Sequence, residues 1–260
     1  MKISMLAAGV LTCAAMLGDI RPDFRQTEWM TIVPRAVLIF ALVATTGLTT
    51  VLGVTDPAAP VFYPTRFLIW NLALAWVPLL MAVGFAALSR TVWQLPWLLG
   101  WLAFLPNSVY LVTDLSHLGE GGTELWRHVL QYGFAAWTGI MLGVVSLRLI
   151  HARIERDYGA VLGWMLVVAS IGLCAVGVVI GRFQRWNSWD LVTQPKAVVA
   201  STLEWVRSPF ANHQSTGVAL AVAAFFGLAY LTIWSLGALT IAPKPANQEL
   251  RYATTASTRR

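Results

Sequence analysis

The chain has 260 residues, of which 57% are hydrophobic and only 12% charged. Its mean hydropathy is +0.66. Soluble domains carry roughly a quarter charged residues, so a soluble globular protein is excluded. The formal charge of +6 and pI near 9.7 do not indicate nucleic acid, because the basic residues flank apolar stretches, as the positive-inside rule expects.

An apolar run from Ile3 to Leu17 follows Lys2 and reads either as a first helix or as the apolar region of a signal peptide. No small-x-small cleavage site follows it, which favours a retained helix leading into a basic loop to about residue 30. Crossing a hydrocarbon core takes about 20 helical residues. Runs of that kind lie at 36–54, 67–88, 92–113, 128–147, 160–180 and 217–241. The expected architecture is an all-α, polytopic transmembrane helical bundle within residues 31–242, with six spans plus the N-terminal seventh. The polar tail 243–260 reads as a disordered cytoplasmic end.

With the N-terminal segment counted as a span, 11 of the 18 basic residues fall on the side of the C-terminus. Four of the other seven sit in the long loop after the sixth span, and long loops weigh less in setting orientation. The C-terminus is therefore expected in the cytoplasm. The loops after residues 113 and 180 are then outside. Gly139 with Gly143, Gly159 with Gly163 and Gly177 with Gly181 form small-residue pairs four apart, of the kind that lets membrane helices approach closely. Cys13 and Cys174 both lie in apolar runs, so no disulfide framework is expected.

Two polar clusters interrupt this pattern, and polar groups at membrane depth are costly unless satisfied or used. In the first, Asn107, Tyr110, Asp114 and His117 recur at spacings of three, four and three, which on a continuous helix share one face. Pro106 frees a carbonyl near Leu102, which Asn107 could repair. Asp114 and His117 can present a carboxylate and an imidazole to one metal or one proton-transfer path. Two ligands do not make a metal site, and His151 is expected on the opposite side. In the second cluster, Arg182 and Arg185 precede Asn187, Ser188 and Asp190. Paired guanidiniums suit phosphate or carboxylate, or they pair with Asp114 and Asp190 within the fold. Asn187 or Ser188 could cap a helix starting at Trp189.

Three segments carry a resemblance: Arg66-Phe-Leu-Ile-Trp-Asn-Leu-Ala-Leu-Ala-Trp-Val-Pro78, Phe104-Leu-Pro-Asn-Ser-Val-Tyr-Leu-Val-Thr-Asp-Leu-Ser-His-Leu118 and Gly181-Arg-Phe-Gln-Arg-Trp-Asn-Ser-Trp-Asp190. Over roughly residues 60 to 242 the chain resembles the domain of unknown function 1361 family of multi-pass bacterial membrane proteins. The resemblance implies a fold and an inner-membrane location, and no activity. It also implies an aromatic residue followed by an acid near the start of the fifth span, where this chain has Gln131-Tyr132-Gly133. A metal site using that acid would here be incomplete or differently built.

Three functions remain open on these residues. An enzyme acting on a lipid or other anionic substrate would use Asp114 and His117 for chemistry, with Asn107, Tyr110, Arg182, Arg185, Asn187 and Asp190 binding the substrate. A small-solute transporter would couple the same groups to protons. A scaffold or assembly protein would use them only to lock the bundle. The sequence specifies no cofactor and no protein partner beyond the lipid bilayer.

Overall fold

In hydrocarbon every backbone N–H and C=O must be satisfied within its own segment, so long apolar runs of this chain have one solution, the α-helix. The computed structural model describes residues 28–55, 64–88, 91–120, 125–208 and 213–240. The apolar segment from Ile3 to Leu17 and the tail from 243 lie outside the described residues.

The helices are α1 (Glu28–Val54), α2 (Pro64–Ala75), α3 (Val77–Ala87), α4 (Thr91–Thr113), α5 (Leu125–Tyr158), α6 (Ala160–Phe183), α7 (Asp190–Thr193), α8 (Pro195–Arg207) and α9 (His213–Thr240). A 3-10 helix, Asp114–Glu120, follows α4 directly. Among the described residues, six stretches are long and apolar enough to cross a membrane: Pro34–Val54, Phe67–Ala87, Trp93–Leu118, Leu125–Tyr158, Ala160–Phe183 and His213–Gly237. The protein is an all-α membrane bundle, as its composition indicates.

Three local departures from the sequence expectation have clear causes. The second span is two helices, because Pro78 has no N–H to give the carbonyl of Leu74 and the ladder is interrupted at Trp76. The Trp76 indole N–H instead ties this point to Thr46 Oγ1 on α1, at 3.2 Å. The span expected over 128–147 does not end near residue 147. Arg148, Arg153 and Arg156 read as a loop in sequence but continue α5 to Tyr158. Gly159 is then a turn residue rather than half of a packing pair. It alone separates α5 from α6, at φ 92°, a backbone that an L side chain rarely adopts.

α5 is the most buried of the spans, and α1 and α9 are peripheral. Its small residues let α4 come close. A Cβ on Gly139 would stand 2.2 Å from the Ser108 carbonyl oxygen, and one on Gly143 would stand 2.8 Å from Ser108 Oγ. The same contact is fixed by the fully buried Trp101, which donates its indole N–H to Ser146 Oγ at 3.1 Å. Arginines close helix ends, where carbonyls lack partners. Arg127 donates to Leu52 O of α1, at 2.9 Å from Nη2. Arg153 donates to Ala86 O and Leu88 O beyond α3, at 2.8 and 3.0 Å. Large apolar side chains such as Phe40, Val168 and Leu220 point outward, as lipid-facing residues do.

Successive spans run in opposite directions, so α2 begins where α4 and α6 finish. That end of the bundle carries both polar clusters.

Candidate functional site

At Asp114 the chain leaves α-helical winding for a 3-10 helix with three residues per turn, so Asp114 and His117 fall along one edge. The expected single helical face is therefore split. Asn107 and Tyr110 stay on α4, whereas Asp114 turns into the protein and is only 1% exposed. Its carboxylate accepts from Asn71 Nδ2 on α2 and from Arg182 Nη1 on α6, each at 3.3 Å.

Arg182 is the hub of the first cluster. Besides Asp114, its guanidinium donates to Tyr110 OH at 3.5 Å and to Ser116 Oγ, and its carbon lies 5.9 Å from the centroid of the Tyr110 ring. It also lies 3.1 Å from His117 Nε2. A guanidinium has only donors, so Nε2 is the acceptor in this pair and the ring proton belongs on Nδ1. Arg182 thus reads the first cluster from the second.

A second link forms at the proline. Asn107 Nδ2 donates to Phe104 O at 3.1 Å and to Ser188 Oγ at 2.8 Å, and Ser188 Oγ donates to Ala103 O at 3.0 Å. These bonds go to the carbonyls of Ala103 and Phe104, next to the break, and not to the Leu102 carbonyl that Pro106 deprives of its helical donor. Gly177 lets α6 seat against that break, since a Cβ there would lie 2.5 Å from the Pro106 ring.

The remaining residues of the second cluster separate by role. The Asp190 carboxylate accepts from the backbone N–H of Asn187, three residues back, at 2.7 Å, and so organises its own turn. Neither Asn187 nor Ser188 is the N-cap of α7, which is Trp189 without a side-chain cap bond. Arg185 is exposed and holds a left-handed backbone, φ 61°. Among the described residues no hydrogen bond or ion pair is recorded for its guanidinium.

These side chains surround the polar end of a cleft of about 850 Å³. Its polar walls are Asn107, Tyr110, His117, Arg182, Arg185 and Asn187, and it continues between apolar faces of α2, α4 and α6. Among the described residues no Asp or Glu lines it: the titratable groups at its wall are two arginines, one histidine and one tyrosine. Asp114 stands behind Arg182, and Asp190 does not reach the wall. Among the described residues no group of three or more His, Cys, Asp or Glu is placed to hold a metal ion.

Asn71, Ser116 and Ser188 belong to this site without having been singled out as binding residues. Asn71 had a usable signal, a lone amide within an apolar span. Ser116 and Ser188 had none, since a serine beside a polar cluster is ordinary.

The model of the family described as protein of unknown function (DUF1361) matches residues 70–232, and the chain belongs to that family. No curated protein and no solved structure matches it.

Proposed function

We propose that this DUF1361 member binds an anionic group at the polar end of the cleft, recognising it with Arg182 and Arg185. The observation that carries this reading is the imbalance of charge at the wall, which among the described residues has two guanidiniums and no carboxylate. Arginine presents planar, paired donors that match phosphate and carboxylate oxygens. Tyr110, Asn107 and Asn187 add neutral hydrogen-bonding groups around the same space. Asp114 acts through Arg182: its carboxylate orients the guanidinium while leaving it partly exposed, 22%, to the cleft. His117 is the group at the wall suited to give or take a proton, and is our candidate acid or base for any reaction on the bound anion. In the orientation that the basic residues favour, the cleft opens on the face away from the cytoplasm.

The test uses the full-length protein in a neutral detergent, with thermal unfolding followed in sodium phosphate and in sodium chloride of equal ionic strength. Phosphate at ten times its Kd should stabilise the protein by about 1.4 kcal/mol. Arg185→Gln should remove that gain without lowering the midpoint in chloride. Equal midpoints of the unsubstituted protein in the two salts, across the whole concentration range, would sink the reading.

The Arg182 contacts favour a second reading, a structural lock that holds α2, α4 and α6 together with no ligand. It predicts that Arg182→Gln and Asp114→Asn lower folded yield while Arg185→Gln changes nothing.

A further inference from the structure

The cleft is longer than an anion needs. Its floor is one face of α4, formed by Leu99, Leu102, Ala103, Pro106, Asn107 and Tyr110, the three-and-four spacing of a helix surface. Phe67, Trp70 and Leu74 of α2 form one wall, and Leu173, Val176 and Ile180 of α6 the other. From Leu99 to Tyr110 the floor rises about 16 Å at 1.5 Å per residue. One leaflet of hydrocarbon is about 15 Å deep, half of a core of about 30 Å. The whole floor, polar end included, is therefore as long as a leaflet is deep; its apolar part, Leu99 to Pro106, rises about 10 Å, and the cationic part lies at the end where headgroups would sit.

Two further features fit an amphiphile better than a free ion. The walls are open sideways: Phe67, Trp70, Leu99 and Leu173 are each about half exposed, so the groove faces the lipid along its length. α8 lies across the polar end, contributing Val198 and Thr202 to the lining while turning Val199, Leu203 and Val206 outward. A helix with that division rests at the boundary of headgroups and acyl chains. It covers part of the polar end with Val198 and Thr202.

We infer that the ligand is a lipid with an anionic, phosphate-type headgroup, which enters laterally and lays one acyl chain in the groove between α2, α4 and α6. This rests on the anion-binding reading above and names its ligand class. The chain gains little free energy on leaving other chains, because lipid tails are as apolar as the groove. Its role is to hold the headgroup against Arg182 and Arg185, and the charged end supplies selectivity.

The experiment compares three probes on the full-length protein in mixed micelles: inorganic phosphate, dioleoyl phosphatidic acid and dioleoyl phosphatidylcholine. Thermal stabilisation is read against probe concentration. Phosphatidic acid should reach half-effect at least tenfold below inorganic phosphate, and phosphatidylcholine should have no effect. Val176→Trp fills the groove and should erase the tenfold advantage. Leu99→Trp fills it from the floor and serves if the first variant does not fold. Val168→Trp, on the lipid-facing side of α6, should keep the advantage. Phosphate and phosphatidic acid acting alike would overturn the acyl-chain inference and leave anion binding standing. An advantage that survives both filling variants would overturn it as well, as ordinary annular lipid. No response to phosphate or to phosphatidic acid would remove both.

Discussion

The two ends of the bundle both bury ionisable side chains, and they treat them differently. At the end away from the cleft, His151 is fully buried on α5, with Nδ1 bonded to Tyr230 OH of α9 and Nε2 3.8 Å from Glu155. Trp164 packs edge-on against that histidine at 4.9 Å, and Trp234 packs against Trp164 at 5.1 Å. Gly163 is small because a Cβ there would come within 2.9 Å of the His151 ring. Tyr230 and the aromatic rings surround His151, while His151 Nε2 and Arg148 Nη1 are buried without a hydrogen-bond partner among the described residues, and none of these groups lines the cleft. At the other end Arg182 is paired on one side and open on the other. Burial and polarity are thus common to both ends, and what distinguishes the proposed binding site is cationic charge facing free volume.

The largest expected effect that sharpens this contrast is at Asp114. Replacing it with Ala leaves the Arg182 guanidinium without its anionic partner, and breaking a buried pair costs about 3 kcal/mol or more. Detergent-based unfolding should show that loss together with loss of phosphate binding. Tyr230→Phe at the opposite end leaves His151 Nδ1 without its partner, a cost of about 2 kcal/mol. Phosphate binding should be unchanged there, and a parallel loss of binding would break the separation of the two ends. Ser188→Ala removes the tie between the second cluster and the Pro106 break, at about 1 kcal/mol. A phosphate titration should then show only a few-fold weaker binding. The smallest change in stability, and the most discriminating, is Arg185→Gly. Glycine accepts the left-handed backbone at that position, so stability should rise by roughly 0.5–1 kcal/mol. Phosphate binding should fall at least tenfold. A variant that is both more stable and less able to bind could not be explained by a purely structural role for the cluster.

The spans were legible in the sequence because length and apolarity are nearly sufficient conditions for a membrane helix. Their ends were less so. Arg148, Arg153 and Arg156 read as a loop because charge suggests departure from the membrane, whereas α5 continues through them to Tyr158. Asp114 and His117 were found by spacing, but spacing assumed a continuous α-helix. The change to 3-10 winding turns Asp114 inward and leaves His117 at the wall. The meeting of Asn107 with Ser188 spans 81 positions, and nothing local in either segment encodes it. The glycines show the same division. Gly139, Gly143 and Gly177 are contact points, as small-residue spacing implies, while Gly159 is a turn set by its own φ.

That one-residue turn bears on how the protein is assembled. With no slack between them, α5 and α6 form a tight hairpin, and the placement of one fixes that of the other. The hairpin carries Arg182 at its tip, opposite the turn, whereas Asp114 and Asn71 arrive earlier on separate segments. Arg182 meets Asp114 only when the hairpin docks in the right register, so the ion pair marks that register. A lengthened turn at Gly159 would let the two helices insert apart and should yield chains whose α6 is in the membrane but unpaired.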